Sequence, residues 1–248
     1  MADTNPVRVL VWDEAPSHAP KSVYPKSLNG AIADGLHELG GVTATPANLD
    51  EPNQGVTDAV LAETDVVIWW GHARHGEVTD ETAAKVIKAV HNGTGFIALH
   101  SAHYSKTFRG ILNTMGHLKG GWRETENPAD TEEITVCAPK HPIAQGIEHF
   151  VLPAEEMYGS PFDVPPPQAV IFQSYFPLGG EYFPSFVTSV GEGIDPEFTS
   201  GPGGGKGQGF GKGRVFYFRP GHETYPTYFD PTVRRIIHNA VLWAAHRS

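Results

Sequence analysis

The 248 residues are 40% apolar and 19% charged, enough for a sizeable core and incompatible with a disordered chain. With 18 basic against 28 acidic residues the formal charge is −10, which argues against a nucleic-acid partner, offers nothing to an anionic membrane surface and suits a neutral substrate. The one cysteine, Cys137, rules out an intrachain disulfide.

The chain opens on a short polar stretch, Met1 to Pro6, with no secretory apolar segment, and no apolar run approaches the roughly 18 residues of a membrane span. A cytoplasmic protein is expected. Val7–Trp12 is a β-branched run typical of a buried strand. Ala31, Ile32, Leu36 and Leu39 fall at helical spacing, and the Gly40-Gly41 pair stops that helix. Val66–Trp70 is a second buried strand, broken by Gly71. Thr79 to Asn92 reads as a helix with Asp80 and Glu81 in its first turn, where the dipole favours anions, and Ala83, Val86, Ile87 and Val90 on its apolar face. Gly95–Leu99 is a third buried strand that runs straight into His100. Strands and helices alternating at these lengths imply parallel βαβ units.

The pattern changes from 120 to 200, where strand candidates are shorter and Pro161, Pro165, Pro166 and Pro167 interrupt them. Glu133–Cys137 is one such strand, and its cysteine reads as a small buried hydrophobe. This stretch is expected to add antiparallel or irregular strands to the same sheet, so that residues 1–248 form one domain. Gly201 to Gly213 holds eight glycines and two lysines, yet neither lysine is followed by Ser or Thr, so the phosphate-loop pattern fails. A glycine hairpin or lid is expected there, and no nucleotide cofactor. Arg214–Phe218 is the last strand. Thr232 to Ala245 is the last helix, with Val233, Ile236, Ile237, Ala240, Val241 and Ala244 on one face.

Four histidine segments punctuate this frame: Gly71–His75, His100–His103, Lys140–Pro142 and Gly221–Glu223. Three follow buried strands, and the strand ends of an open α/β sheet are where ligands bind. Imidazole suits both proton transfer near neutral pH and metal ligation. His100-Ser101-Ala102 after a strand suggests a strand–turn–helix elbow with His100 held exposed at the rim, although the glycines that flank a hydrolytic serine are missing around Ser101. His103, three residues on, would share a helical face with His100. His141 before Pro142 reads as a turn opening. Glu155-Glu156 is a solvated acidic turn on local evidence, or supplies a ligand or general base if it meets the histidines. His222, flanked by Glu223 and Tyr225, is the strongest candidate. If His72 or His103 meets Glu156 and His222, the set suits zinc or a similar divalent ion with a position left open. No HExxH helix is present, so such a site must be assembled from distant segments.

Three segments, Gly95–His103, Glu155–Gly159 and Phe218–Tyr228, resemble those of the ThuA-like trehalose utilisation family, and the similarity extends from about Val7 to Ala245. The resemblance implies a flavodoxin-like α/β fold of the class I glutamine amidotransferase type, mostly parallel and flanked by helices. Those amidotransferases carry a nucleophilic cysteine at the elbow; here His100 stands at about that place and Cys137 lies elsewhere, so glutamine hydrolysis is not expected. The resemblance also implies catabolism of trehalose and related disaccharides by way of 3-keto sugars made by a partner sugar dehydrogenase.

The leading expectation is a metal-assisted isomerase or lyase acting on a small neutral keto-sugar, in a homo-oligomer. His100, Glu156, His222 and Tyr158 would be catalytic, with His72, His103, Glu156 and His222 as metal ligands. Trp70, Ser101, Trp122 and Tyr225 would contact substrate, and Trp69 offers a further stacking face. The alternatives are a glycoside or amide hydrolase using Ser101 or a metal-bound water, and a non-catalytic sugar-binding protein.

Overall fold

The three continuous apolar runs lie side by side at the centre of one sheet in the computed structural model, which describes residues 5–126, 128–192 and 212–247. In chain order the first half is β1 (Val7–Asp13), α1 (Leu28–Leu39), β2 (Val42–Asn48), α2 (Asp58–Ala62), β3 (Val66–Trp70), α3 (Asp80–His91), β4 (Gly95–Leu99) and α4 (Lys106–Leu112). The second half is β5 (His117–Leu118), β6 (Trp122–Arg123), β7 (Glu132–Val136), β8 (Phe150–Leu152), β9 (Met157–Tyr158), β10 (Phe162–Asp163), β11 (Ala169–Phe176), β12 (Glu181–Val190), β13 (Gly213–Phe218) and α5 (Pro231–Ala244).

Nine strands form the main sheet in the order β2-β1-β3-β4-β13-β12-β11-β7-β8. The first five are mutually parallel, and their order (second, first, third, fourth, last) is that of a flavodoxin-like sheet. The four strands beyond β13 are all antiparallel. The fold is therefore a mixed α/β sheet, with the irregular strand-rich stretch added to it as expected. β3, β4 and β13 are buried along their whole length, because helices cover both faces. One core packs α1 and α5 against the sheet, and the other packs α3 and α4. Side-chain caps from Ser27, Thr79 and Asp230 start α1, α3 and α5. No helix among the described residues is long and apolar enough to cross a membrane.

Two features differ from the sequence reading. β2 carries no continuous apolar run: it pairs with β1 on one side only and leaves Thr43, Thr45 and Pro46 exposed, as an edge strand can. Cys137 is exposed, because burial in β7 alternates with Glu132 and Ile134 inward, and Cys137 falls in the outward phase. His141 does open a turn, its Nδ1 accepting the Ile143 amide at 3.2 Å. The glycine-rich segment from 201 to 211 lies outside the described residues.

After β13 the chain reverses at Gly221, whose φ is +124°. A Cβ built there would stand 2.0 Å from the Tyr228 hydroxyl. Left-handed backbone and collision both disfavour any side chain. Gly221→Ala is expected to cost about 3 kcal/mol, lowering Tm by roughly 6–12 °C in a thermal melt.

Candidate functional site

The carboxyl ends of β3, β4 and β13 deliver His72, His100 and His222 to one place, and the residues just before β9 bring Glu156 to meet them. One donor atom from each of these four side chains lies within 4.8 Å of the other three. The rings of His72 and His222 are 4.9 Å apart, and His100 stands 5.4 Å and 5.3 Å from them in edge-on contacts.

His100 sits at the elbow, but buried instead of exposed. Its φ is +55°, unusual for a side chain, and its relative exposure is 0%. That backbone turns the ring into a stack between Trp70 at 6.3 Å and Tyr158 at 5.2 Å. Its Nε2 is 3.2 Å from both the Tyr158 hydroxyl and Glu156 Oε2. Tyr158 also shares a short hydrogen bond with Ser101, so the serine hydroxyl partners a phenol and not an imidazole. The Tyr217 hydroxyl donates to the His100 carbonyl at 3.0 Å and helps fix the turn.

Two acidic networks hold this rim. Glu14, at the end of β1, accepts the Ala73 and Arg74 amides at 2.6 and 2.9 Å and fixes the loop that carries His72. Glu223 is fully buried and accepts from His72 Nδ1 at 2.7 Å and from His18. Beneath it, Arg219 is buried with Glu132 and Glu155. Its Nε donates to Glu132 Oε1 at 2.8 Å, a second nitrogen bonds the other Glu132 oxygen, and Glu155 Oε2 is 3.2 Å away. Arg219 also donates to the Glu156 carbonyl. Glu155 in turn accepts the amides of Gly221 and His222 at 2.9 and 3.3 Å, with the Thr227 hydroxyl.

Burial governs the charges. It pushes His222 down from the usual imidazole value and His100 well below it, the latter helped by its two histidine neighbours, so both are neutral at pH 7. Burial opposes protonation of His72 too, but the hydrogen bond and charge of Glu223 outweigh it and raise that pKa. Burial raises Glu156 against the pull of the histidines, whereas Glu223 is held down at about 2 because His72 and its neighbours overcome desolvation. The Tyr158 phenol is raised well above its ordinary value by burial and by Glu156, and stays protonated.

The structure thus brings together His72, His100, Glu156 and His222, with Trp70, Ser101 and Tyr158 around them. His103 stands apart. The left-handed φ of His100 breaks the expected common helical face, and His103 Nδ1 bonds the Gly116 carbonyl at 2.7 Å, with its ring on Tyr104 and Phe162. Burial drives its pKa down to about 3. Glu155 and Glu156 are buried and not a solvated turn. Trp122 is exposed, directly across a short strand pair from Tyr158, and Tyr225 lies 5.6 Å from His222 with its hydroxyl 3.4 Å from Glu124. Trp69 is stacked on Trp12 at 3.7 Å inside the other core. Sequence reading missed Glu14, His18, Glu132 and Arg219. The available signal was a charged residue interrupting or opening a buried apolar run, as in Phe218-Arg219-Pro220.

The donor set fits a divalent ion. Its spread is near the roughly 4 Å span covered by ligands bonded at about 2.0–2.2 Å, two of its imidazoles are neutral, and Glu156 Oε2 is buried without a hydrogen bond among the described residues. Imidazole and carboxylate together suit zinc and similar ions.

A family model described as trehalose utilisation (ThuA) matches residues 8–244. A solved ThuA-like protein from Parabacteroides merdae is similar with a TM-score of 0.62 at 16% identity, over 97% of this chain and 90% of its own. Another from Bacteroides uniformis gives 0.59 at 16% identity, over 98% and 93%. At such identity the likeness concerns the fold. No curated protein is significantly similar.

One Arg219 facing two buried carboxylates has a consequence in pH. Burial and the repulsion of Glu155 outweigh Arg219 and raise Glu132 to about 7. A carboxyl raised above its unfolded value of 4.5 contributes stability that is present at low pH and lost as pH rises through 7. Urea denaturation from pH 5 to 8 is expected to show wild-type stability falling across that window, and Glu132→Gln making that fall shallower.

Proposed function

The chain belongs to the ThuA, or trehalose utilisation, family, and from that premise we propose that it is a metal-assisted isomerase or lyase acting on a keto-sugar. The observation that carries this reading is the convergence of three imidazoles and one buried carboxylate at the strand ends, beside a phenol held in its protonated form.

His72, Glu156 and His222 would hold the ion, two nitrogens and one oxygen with positions left for substrate. The chemistry a divalent ion supplies when bound there is polarisation of the ketone oxygen. His100, kept neutral by burial, accepts the proton from the carbon α to the ketone. The electron pair of that C–H bond becomes the new C=C bond, and the ketone oxygen takes the Tyr158 proton. Ser101, bonded to the phenol, orients it. In an isomerase the hydroxyl on the α carbon becomes the new ketone as its proton passes to the Tyr158 oxygen, and His100 delivers its proton to the former ketone carbon. In a lyase the enol proton returns to Tyr158, the C=O re-forms, and the β C–O bond breaks with its oxygen taking the proton from His100. Trp122 offers an aromatic face and Tyr225 a hydroxyl at the outer side of the site, which suits a neutral, ring-shaped substrate.

Metal analysis of protein purified without a histidine tag is expected to find about one divalent ion per chain, lost in His222→Ala. Tyr158→Phe is expected to keep the ion and lower kcat on a 3-keto-disaccharide by about 10²–10⁴-fold. Full turnover by a metal-free wild type would contradict the proposal.

A further inference from the structure

Two of the ion-holding imidazoles are oriented by consecutive residues. His72 Nδ1 donates to Glu223 Oε1 at 2.7 Å. His222 Nδ1 lies 2.7 Å from the Thr224 hydroxyl, and that hydroxyl points its own hydrogen at Glu124 Oε1, 3.4 Å away. The Thr224 amide donates to His222 Nδ1 as well, at 3.3 Å. The hydroxyl and the amide of Thr224 thus hold the His222 ring through one nitrogen, Nδ1. In His72, whose partner is a carboxylate, Nδ1 is the protonated nitrogen and Nε2 keeps its lone pair. The opposite tautomer has no lone pair on Nε2.

We propose that His222-Glu223-Thr224 is a compound ligating motif, in which His222 binds the ion while Glu223 orients His72 and Thr224, backed by Glu124, orients His222. The inference rests on the metal reading of the site and assigns positioning roles to three residues outside the donor set. Glu155 completes the motif from below by fixing the backbone, since it accepts the amides of Gly221 and His222. Glu223 orients His72 through Oε1, which accepts from His72 and His18, while its buried Oε2 has no hydrogen bond among the described residues. A ring whose tautomer is fixed by such a partner binds metal more tightly, and loss of the partner typically weakens affinity 10- to 100-fold.

The test is zinc affinity of the tag-free apoprotein, measured by competition with a chromophoric chelator, with thermal melts to confirm folding. Thr224→Val is expected to weaken zinc about 10- to 100-fold, and Thr224→Ser, which keeps the hydroxyl, to restore wild-type affinity. Thr224 is half-buried, so neither substitution endangers the core. Glu223→Gln is expected to weaken zinc as well, and it keeps the shape of a buried side chain that Glu223→Ala would remove. Wild-type affinity in both Thr224→Val and Glu223→Gln would overturn the inference and leave the metal reading standing. A loss in Glu223→Gln as complete as that in His222→Ala would make Glu223 a ligand and overturn its orienting role. A folded wild type that holds no divalent ion would overturn the metal reading, and the inference with it.

Discussion

A single buried cation holds the two halves of this molecule in register. Arg219 stands at the end of β13, the last parallel strand, and reaches Glu132 on β7, near the far edge of the antiparallel extension, and Glu155 in the loop before β9. All three are shut away from solvent. Removing Arg219 from this network leaves buried carboxylates uncompensated and costs about 3–5 kcal/mol, a large share of a domain's stability. The network is also asymmetric, with two carboxylates on one guanidinium. Glu155 spends its remaining capacity on the amides of Gly221 and His222, and Arg219 grips the Glu156 carbonyl. The elements that stabilise the junction of the two half-sheets therefore also place the donors above it.

The chemistry of the rim follows from the same burial. An imidazole in water is half protonated near pH 6.5, but two of the three convergent rings are driven neutral by desolvation. Glu223 keeps its charge because the hydrogen bond from His72 and the neighbouring imidazoles outweigh its desolvation. Low dielectric surroundings strengthen each of these interactions and raise the cost of any unpaired group. A site with excess carboxylate and neutral imidazole attracts a cation, while the acidic surface and the aromatic and hydroxyl groups outside suit a neutral substrate.

Much of this was legible in the sequence, for identifiable reasons. β3, β4 and β13 are buried on both faces, so their apolar runs are continuous, and α3 and α5 carry periodic apolar faces with caps. The histidines at the strand ends could be read because topology alone sends those ends to one rim. β2 escaped because it is an edge strand with Thr43, Thr45 and Pro46 facing out. His103 does not share a face with His100, as its three-residue spacing suggests, because one left-handed φ, invisible in the residue pattern, turns the two rings apart. Glu132 and Arg219 escaped because a long-range ion pair leaves no spacing signature, the two lying 87 residues apart, and Glu14 escaped because its partners are backbone amides about 60 residues away.

The account stands on where an ion binds. A tag-free crystal soaked in zinc and measured across the zinc absorption edge decides it most directly. One anomalous peak is expected within about 2.0–2.2 Å of His72, Glu156 and His222, with His103 away from it. A peak on His103, or none at the rim of an intact fold, would contradict it.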